Sequence, residues 1–196
     1  MNIVFVRHGR ICISKQRRYI GREDVRLLPE GFDDIKKLKN YIECISFGTV
    51  YSSPLLRAKQ SAAILSDKYI TDERLMEANF GIFEGKTYEE ICSKFPVECE
   101  KWANDYVNYN IPEGESLSVL FDRVENFLDD ISKKDGNILA VTHEGVIRCA
   151  LSLAVGNRDC FFKFRTGYGR FAVVSIDNGY MYIRAVNGLF NLKEIL

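Results

Sequence analysis

A chain of 196 residues with 46% hydrophobic and 28% charged residues can bury one substantial core and reads as a water-soluble globular domain. Its 27 Lys and Arg balance 27 Asp and Glu, so no net positive charge points to nucleic acid or an acidic membrane surface. No run approaches the roughly 18 apolar residues of a membrane span, and Arg7 ends the apolar start too early for a signal peptide, so a cytoplasmic protein is expected.

In chain order, residues 2–7 read as a strand, all apolar between Ile3 and Val6, followed by a polar, basic segment from Gly9 to Glu30 that is long enough to be a binding loop. Phe32, Ile35, Leu38, Ile42 and Ile45 recur at helical spacing. Thr49 to Ser52 reads as a second strand, and Pro54 suits the first turn of a helix whose apolar face is Leu55, Ala58, Ala62 and Leu65. Leu75 to Gly85 reads as loop, and two short helical stretches follow at Tyr88–Cys92 and Val97–Tyr106. Leu117, Leu120, Val124, Leu128 and Ile131 make a clear helical face, with Ser116 placed to cap it. A strand at 138–142 and a helix from Val146 to Ala154 come next. Phe171–Asp177 and Tyr180–Val186, separated by Asn178-Gly179, make a hairpin. Alternating strands and helices argue for an α/β fold, a three-layer α/β/α arrangement whose sheet is mainly parallel but mixed by the terminal hairpin. No repeat or linker divides residues 1–196, so one domain is expected, with 76–115 elaborating the sheet rim.

Only two histidines occur, and each closes an apolar strand: His8 after Ile3-Val4-Phe5-Val6-Arg7, and His143 after Ile138-Leu139-Ala140-Val141-Thr142. If those strands are parallel neighbours, both imidazoles lie at the carboxyl rim where open α/β sheets bind ligands. Glycine follows each within two residues, which suggests a sharp turn and, at Gly9, backbone free to approach a ligand. Arg7 and Arg57 supply planar guanidinium forks suited to phosphate oxygens. His143 precedes a helix N-terminus, where backbone N–H groups favour anions. Together these residues make a phosphoryl pocket in which an imidazole can act as nucleophile. The departing oxygen needs a proton donor: Glu77 sits among apolar neighbours, and Glu84, Glu89 and Glu90 compete with it. Two histidines without a carboxylate cluster argue against a metal site. The six cysteines contain no Cys-x-x-Cys pair, and Cys44, Cys92 and Cys149 fall in apolar helical patterns, so reduced structural thiols are expected.

Val6-Arg7-His8-Gly9, Tyr19-Ile20-Gly21, Ser52-Ser53-Pro54-Leu55-Leu56-Arg57-Ala58, Leu75-Met76-Glu77, Phe80-Gly81-Ile82-Phe83-Glu84-Gly85 and Val141-Thr142-His143-Glu144-Gly145 together resemble the histidine phosphatase superfamily. The likeness covers nearly the whole chain. It implies the phosphoglycerate mutase-like fold and a small-molecule phosphate ester as substrate, with no metal or other cofactor. It also implies that His8 is the phosphorylated nucleophile, that Arg7, Arg57 and His143 hold the phosphoryl group, and that Glu77 is the proton donor. Ser14, Tyr19, Ile20, Gly21, Arg10, Glu144 and Gly145 are implied to surround the substrate. Phe95-Pro96, Glu98, Trp102, Asp105 and Pro112-Glu113-Gly114-Glu115-Ser116 resemble, more narrowly, the alpha-ribazole-5'-phosphate phosphatases of cobalamin assembly. The sequence leaves the family pattern at Arg10-Ile11, where an acid or amide and a threonine are usual, and at Ser14, where asparagine is common. Arg10, Lys15, Arg17 and Arg18 would then add positive charge at the pocket mouth and favour a more anionic substrate. A phosphomonoesterase is the leading expectation. A cofactor-dependent phosphoglycerate mutase and a non-catalytic phosphate-binding regulatory domain stay open, as does the oligomeric state.

Overall fold

The computed structural model describes residues 1–12 and 18–188. Its centre is a mixed sheet, which among the described residues has the order β3-β2-β4-β1-β5-β6. The strands are β1 (Asn2–Arg7), β2 (Thr49–Ser52), β3 (Ile70–Thr71), β4 (Asn137–Thr142), β5 (Phe171–Asp177) and β6 (Tyr180–Gly188). β3, β2, β4 and β1 run parallel, while β5 pairs antiparallel with both β1 and β6. The short strand β3 carries no apolar run to announce it; its two residues are exposed at the sheet edge.

Alternation along the strands sorts side chains onto two faces. Ile3, Phe5, Ile138, Ala140, Ala172 and Val174 meet α5 (Leu117–Ile131) and α6 (Glu144–Ala154), giving one apolar core. Val4, Val6, Leu139, Val141, Phe171 and Val173 meet α1 (Pro29–Ile42) and α2 (Leu56–Leu65), giving the second. The result is the expected three layers. Ser116 caps α5 by accepting from Val119 N–H, an interaction worth about 1 kcal/mol. Asn178 and Gly179 both take positive φ, as a two-residue hairpin turn requires.

A third, separate cluster lies over the rim: Phe83, Ile91, Cys99 and Ile111, with Tyr19, Phe95 and Trp102 packed against them. It is built from short pieces, namely a 3-10 turn at Gly81–Phe83, α3 (Tyr88–Lys94) and α4 (Pro96–Asn104). Thr87 and Glu90 form a capping box that starts α3. Several sequence expectations need correction. Pro54 lies before the N-cap of α2 rather than in its first turn, because the backbone stays extended through Leu55. Cys92 and Cys99 are joined by a disulfide rather than reduced, because the break at Phe95-Pro96 folds α4 back and brings their Cα atoms to 5.1 Å. Cys44 is exposed, not a core residue, while Cys149 is buried as expected. No helix among the described residues is long and apolar enough to cross a membrane.

Candidate active site

β1 and β4 are parallel neighbours with Arg7 opposite Thr142, so the residues that follow them leave the sheet side by side. His8 N–H donates to Thr142 O at 3.0 Å, and the two imidazole centroids lie 5.1 Å apart, both rings buried. His8 Nδ1 lies 2.8 Å from Gly9 O. A carbonyl can only accept, so Nδ1 carries the proton and Nε2 keeps a lone pair. Burial first, then the charges of Arg57 and Arg7, push the His8 pKa well below its ordinary 6.5 and keep the ring neutral. His143 is pushed the same way by burial, Arg57 and His8.

His143 Nε2 lies 2.8 Å from Ser53 Oγ. Ser53 Oγ already accepts from Leu55 N–H, so its hydroxyl proton is free to go to Nε2 and leave His143 Nδ1 as a donor. Arg57 is 1% exposed, and its two terminal nitrogens donate to Glu23 O and Gly21 O at 2.8 and 2.6 Å. Arg7 donates to Thr166 O at 2.6 Å, pairs with Glu144 at 2.8 Å, and stacks 3.9 Å above the Tyr168 ring. Arg7 Nε, Arg57 Nε and His143 Nδ1 are all buried and have no hydrogen-bond partner among the described residues. Buried donors of this kind are costly unless an acceptor meets them. Three of them around a neutral imidazole can bind a tetrahedral oxyanion.

Glu77 reaches the same cavity from the segment between the sheet and the cap. Its Oε1 accepts from Ala78 N–H at 3.0 Å and its Oε2 from Gly145 N–H at 3.2 Å, in the first turn of α6. A Cβ on residue 145 would stand 2.2 Å from Glu77 Oε1, so Gly145 makes room for the carboxylate rather than for a turn. Gly9 is likewise needed for packing. Its hypothetical Cβ would meet Gly31 O at 2.2 Å, which corrects the expectation that Gly9 clears space for a ligand. The rival carboxylates are occupied elsewhere: Glu84 accepts from the backbone of Gly21, Arg22 and Phe80, and Glu90 holds Arg18 and closes the α3 box, while Glu89 is exposed.

The cavity measures about 480 Å³, with Arg7, His8, Arg57, Glu77, Glu144 and Gly145 on its floor. Tyr19 and Ile20 line it, whereas Gly21 does not and instead accepts from Arg57. Ser14, Lys15 and Arg17 lie outside the described residues. Arg10 does not face the cavity. Its guanidinium makes a two-pronged pair with Asp34 at 2.7 Å, on the far side of Tyr168, so it adds no charge at the mouth. Ile11 does line the cavity, 6% exposed and bridged to Leu27, and places an apolar side chain there. Arg18 lines it too, but already pairs with Glu90.

Above the floor the wall is aromatic. Trp102 sits edge-on to Tyr19 at 5.3 Å and near Tyr88 at 6.4 Å, and Tyr106 meets Phe162 at 5.3 Å. Ser53, Tyr168 and the Tyr106–Phe162 pair escaped sequence reasoning. Tyr168 had a signal, an aromatic residue flanked by Gly167 and Gly169, but its contact with Arg7 joins the end of β1 to the approach of its neighbour β5, far away in the chain, and has no sequence spacing. No group of three or more His, Cys, Asp or Glu among the described residues could hold a metal ion.

A family model described as the histidine phosphatase superfamily (branch 1) matches residues 3–188. Among curated proteins, the chain is 24% identical over 201 residues to phosphoserine phosphatase 1 of Hydrogenobacter thermophilus, covering 99% of this chain and 95% of that protein. It is 25% identical over 194 residues to the adenosylcobalamin/alpha-ribazole phosphatase of Escherichia coli, covering 95% and 96%. Among solved structures, the alpha-ribazole phosphatase of Shigella flexneri superposes with a TM-score of 0.88 at 26% identity, covering 96% of each chain.

Proposed function

Because this chain belongs to branch 1 of the histidine phosphatase superfamily, we propose that it is a phosphomonoesterase that works through a phosphohistidine at His8. The observation that carries the reading is the trio of buried, unpartnered donors, Arg7 Nε, Arg57 Nε and His143 Nδ1, beside a neutral imidazole. His8 Nε2 attacks phosphorus in line while the bond to the leaving oxygen breaks. Arg7, Arg57 and His143 hold the three remaining oxygens, and this charge stabilisation supplies most of the catalysis. Glu77 gives its proton to the departing oxygen. Its carboxylate then takes a proton from the water that attacks phospho-His8, and inorganic phosphate leaves with neutral His8 restored. His8 needs no deprotonation, since burial already keeps it neutral.

The proposed substrate is alpha-ribazole 5'-phosphate, whose planar base suits a wall of Tyr19, Tyr88, Trp102 and Tyr106. Likeness to alpha-ribazole phosphatases supports it. Phosphoserine would set an ammonium and a carboxylate against that wall, at a desolvation cost. A panel of alpha-ribazole 5'-phosphate, phosphoserine and 3-phosphoglycerate, read for released phosphate and acid-labile phosphohistidine, tests both levels. The expected result is phosphohistidine with every ester turned over and the highest kcat/KM for the ribazole ester. Preference for phosphoserine would overturn the substrate and leave the chemistry standing. Conversion of 3-phosphoglycerate to its isomer without phosphate release would make the protein a mutase. Absence of phosphohistidine with all three esters would end the catalytic reading.

A further inference from the structure

Glu77 rides on a segment with little regular structure between the 3-10 turn at Glu73–Leu75 and the cap, so something must hold its carboxylate against α6. Arg123, on the second turn of α5, reaches across to that segment. Its Nη1 donates to Arg74 O at 2.7 Å and to Met76 O at 2.6 Å, and its Nη2 to the carbonyl of Glu77 itself at 3.1 Å. Its remaining donors go to Glu115, Nη2 to Oε1 at 2.7 Å and Nε to Oε2 at 3.2 Å. All five N–H groups of the guanidinium are therefore spent on one task. Glu115 completes the clamp: its Oε1 also accepts from Asn79 N–H at 2.9 Å, and its own N–H donates to Asn79 O at 2.9 Å. Residues 74 to 79 are thus held at three carbonyls and one amide by two side chains that are 14% and 8% exposed, and at a fourth carbonyl by the backbone of Glu115.

A pair so enclosed is an expensive way to brace a loop, since taking two charges out of water costs several kcal/mol per ion before their attraction repays it. Well-packed apolar residues would brace the segment at least as well. A charged fork differs in fixing direction as well as distance, which matters for a group that must aim a proton. Thr142, immediately before His143, donates its hydroxyl to Leu75 O at 2.7 Å and ties the same segment to the end of β4. The segment that carries Glu77 is thereby referenced to the strand that carries His143.

We infer that Arg123, with Glu115 as its partner, is a positioning residue for proton donation by Glu77. The inference rests on the phosphomonoesterase reading above. It gives Glu115, in the segment Pro112-Glu113-Gly114-Glu115-Ser116, a task distinct from capping α5, which belongs to Ser116. It also separates two kinds of defect. Loss of aim at Glu77 lowers kcat/KM only for those esters whose leaving oxygen needs a proton as the bond breaks, because the attack of water on phospho-His8 comes after that step and enters kcat alone. A general loosening of the pocket slows every ester alike.

The test compares two esters on one preparation of the full chain: 2,4-dinitrophenyl phosphate, whose leaving group departs as a stable anion, and 2-phenylethyl phosphate, whose alkoxide must be protonated. Because the ratio of the two kcat/KM values, which report phosphoryl transfer to His8 and not its later hydrolysis, is taken on the same sample, the folded fraction cancels. Removing a general acid costs typically about 10²–10⁴-fold, so Glu77→Gln sets the upper limit on the alkyl ester. Arg123→Lys and, independently, Glu115→Gln are expected to slow the alkyl ester by about 10–100-fold, the scale of a misplacement of about 1 Å. Each should leave the dinitrophenyl ester within about three-fold of wild type, well short of that penalty. An equal loss on both esters, or no loss on either, overturns the clamp while the phosphatase reading survives. Failure of the wild-type chain to hydrolyse either ester removes that reading and the clamp together.

Discussion

The floor of the cavity and the cap above it are built on different principles. Arg7, His8 and Arg57 of the floor, with Ser53 and His143 buried beside them, follow or flank sheet ends, where the pairing of β1 with β4 and of β4 with β2 leaves little freedom. His8 and Ser53 each donate a backbone N–H to β4, to Thr142 O and Val141 O. The cap has its own small core around Phe83, Ile91, Cys99 and Ile111, separate from both cores that enclose the sheet. Its aromatic rim is partly exposed, Tyr88 by 43% and Tyr106 by 40%. Groups proposed to meet phosphorus are thus fixed by strand register, and groups proposed to meet the leaving group are fixed by side-chain packing. Changes on the floor should alter turnover, and changes on the cap should alter which ester binds.

The strongest way to break this division is at His8. His8→Ala should reduce phosphate release from an aryl phosphate to background while the chain still binds the ester; retained turnover would move the chemistry off the floor.

Next in size is a pH effect on stability that belongs to the floor and not the cap, because His8 lines the floor and His143, the chain's other histidine, is buried 5.1 Å from it. Each is buried neutral, with a folded pKa well below the ordinary 6.5. Below that ordinary value the unfolded chain binds protons that the folded chain does not, so stability falls as pH falls. It is full above about 6.5, and the slope approaches about 1.4 kcal/mol per pH unit for each histidine in the window beneath. Glu90 and Asp130, held below their ordinary 4.5 and 3.8 chiefly by Arg18 and Arg74, contribute only at lower pH. Urea midpoints at pH 7.5 and 5.5 measure the difference, and equal midpoints would show that the histidines are not buried as neutral rings.

The smallest effect is expected on the cap. Tyr106→Ala removes one rim aromatic and its contact with Phe162, worth at most about 1.5 kcal/mol, or about ten-fold in KM for an aromatic ester. The kcat should hardly change. A lower kcat at constant KM would mean that cap and floor do not divide the work.

The elements most legible in the sequence are those stabilised by their own periodicity. Phe171–Asp177 forms a strand with the expected bounds, and α5 starts after Ser116 as its cap demands. The floor was legible for a related reason: a histidine closing an apolar strand has few places to go other than the sheet rim. Arg10 was misread because a charge two residues from His8 appears near the site in the chain, yet in space it turns outward to Asp34 of α1. The Cys92–Cys99 pair was missed because its spacing depends on how α4 folds back at Pro96.

By itself, therefore, the sequence determined the α/β layering and the rim position of both histidines, since periodicity and strand ends are local properties of a chain. Only the tertiary structure decided which carboxylate faces the cavity, which way Arg10 points, and that Arg123 grips the backbone of Glu77. Those outcomes depend on hydrogen bonds between segments 24 to 68 residues apart, and no local pattern records which partners the folded backbone will leave within reach.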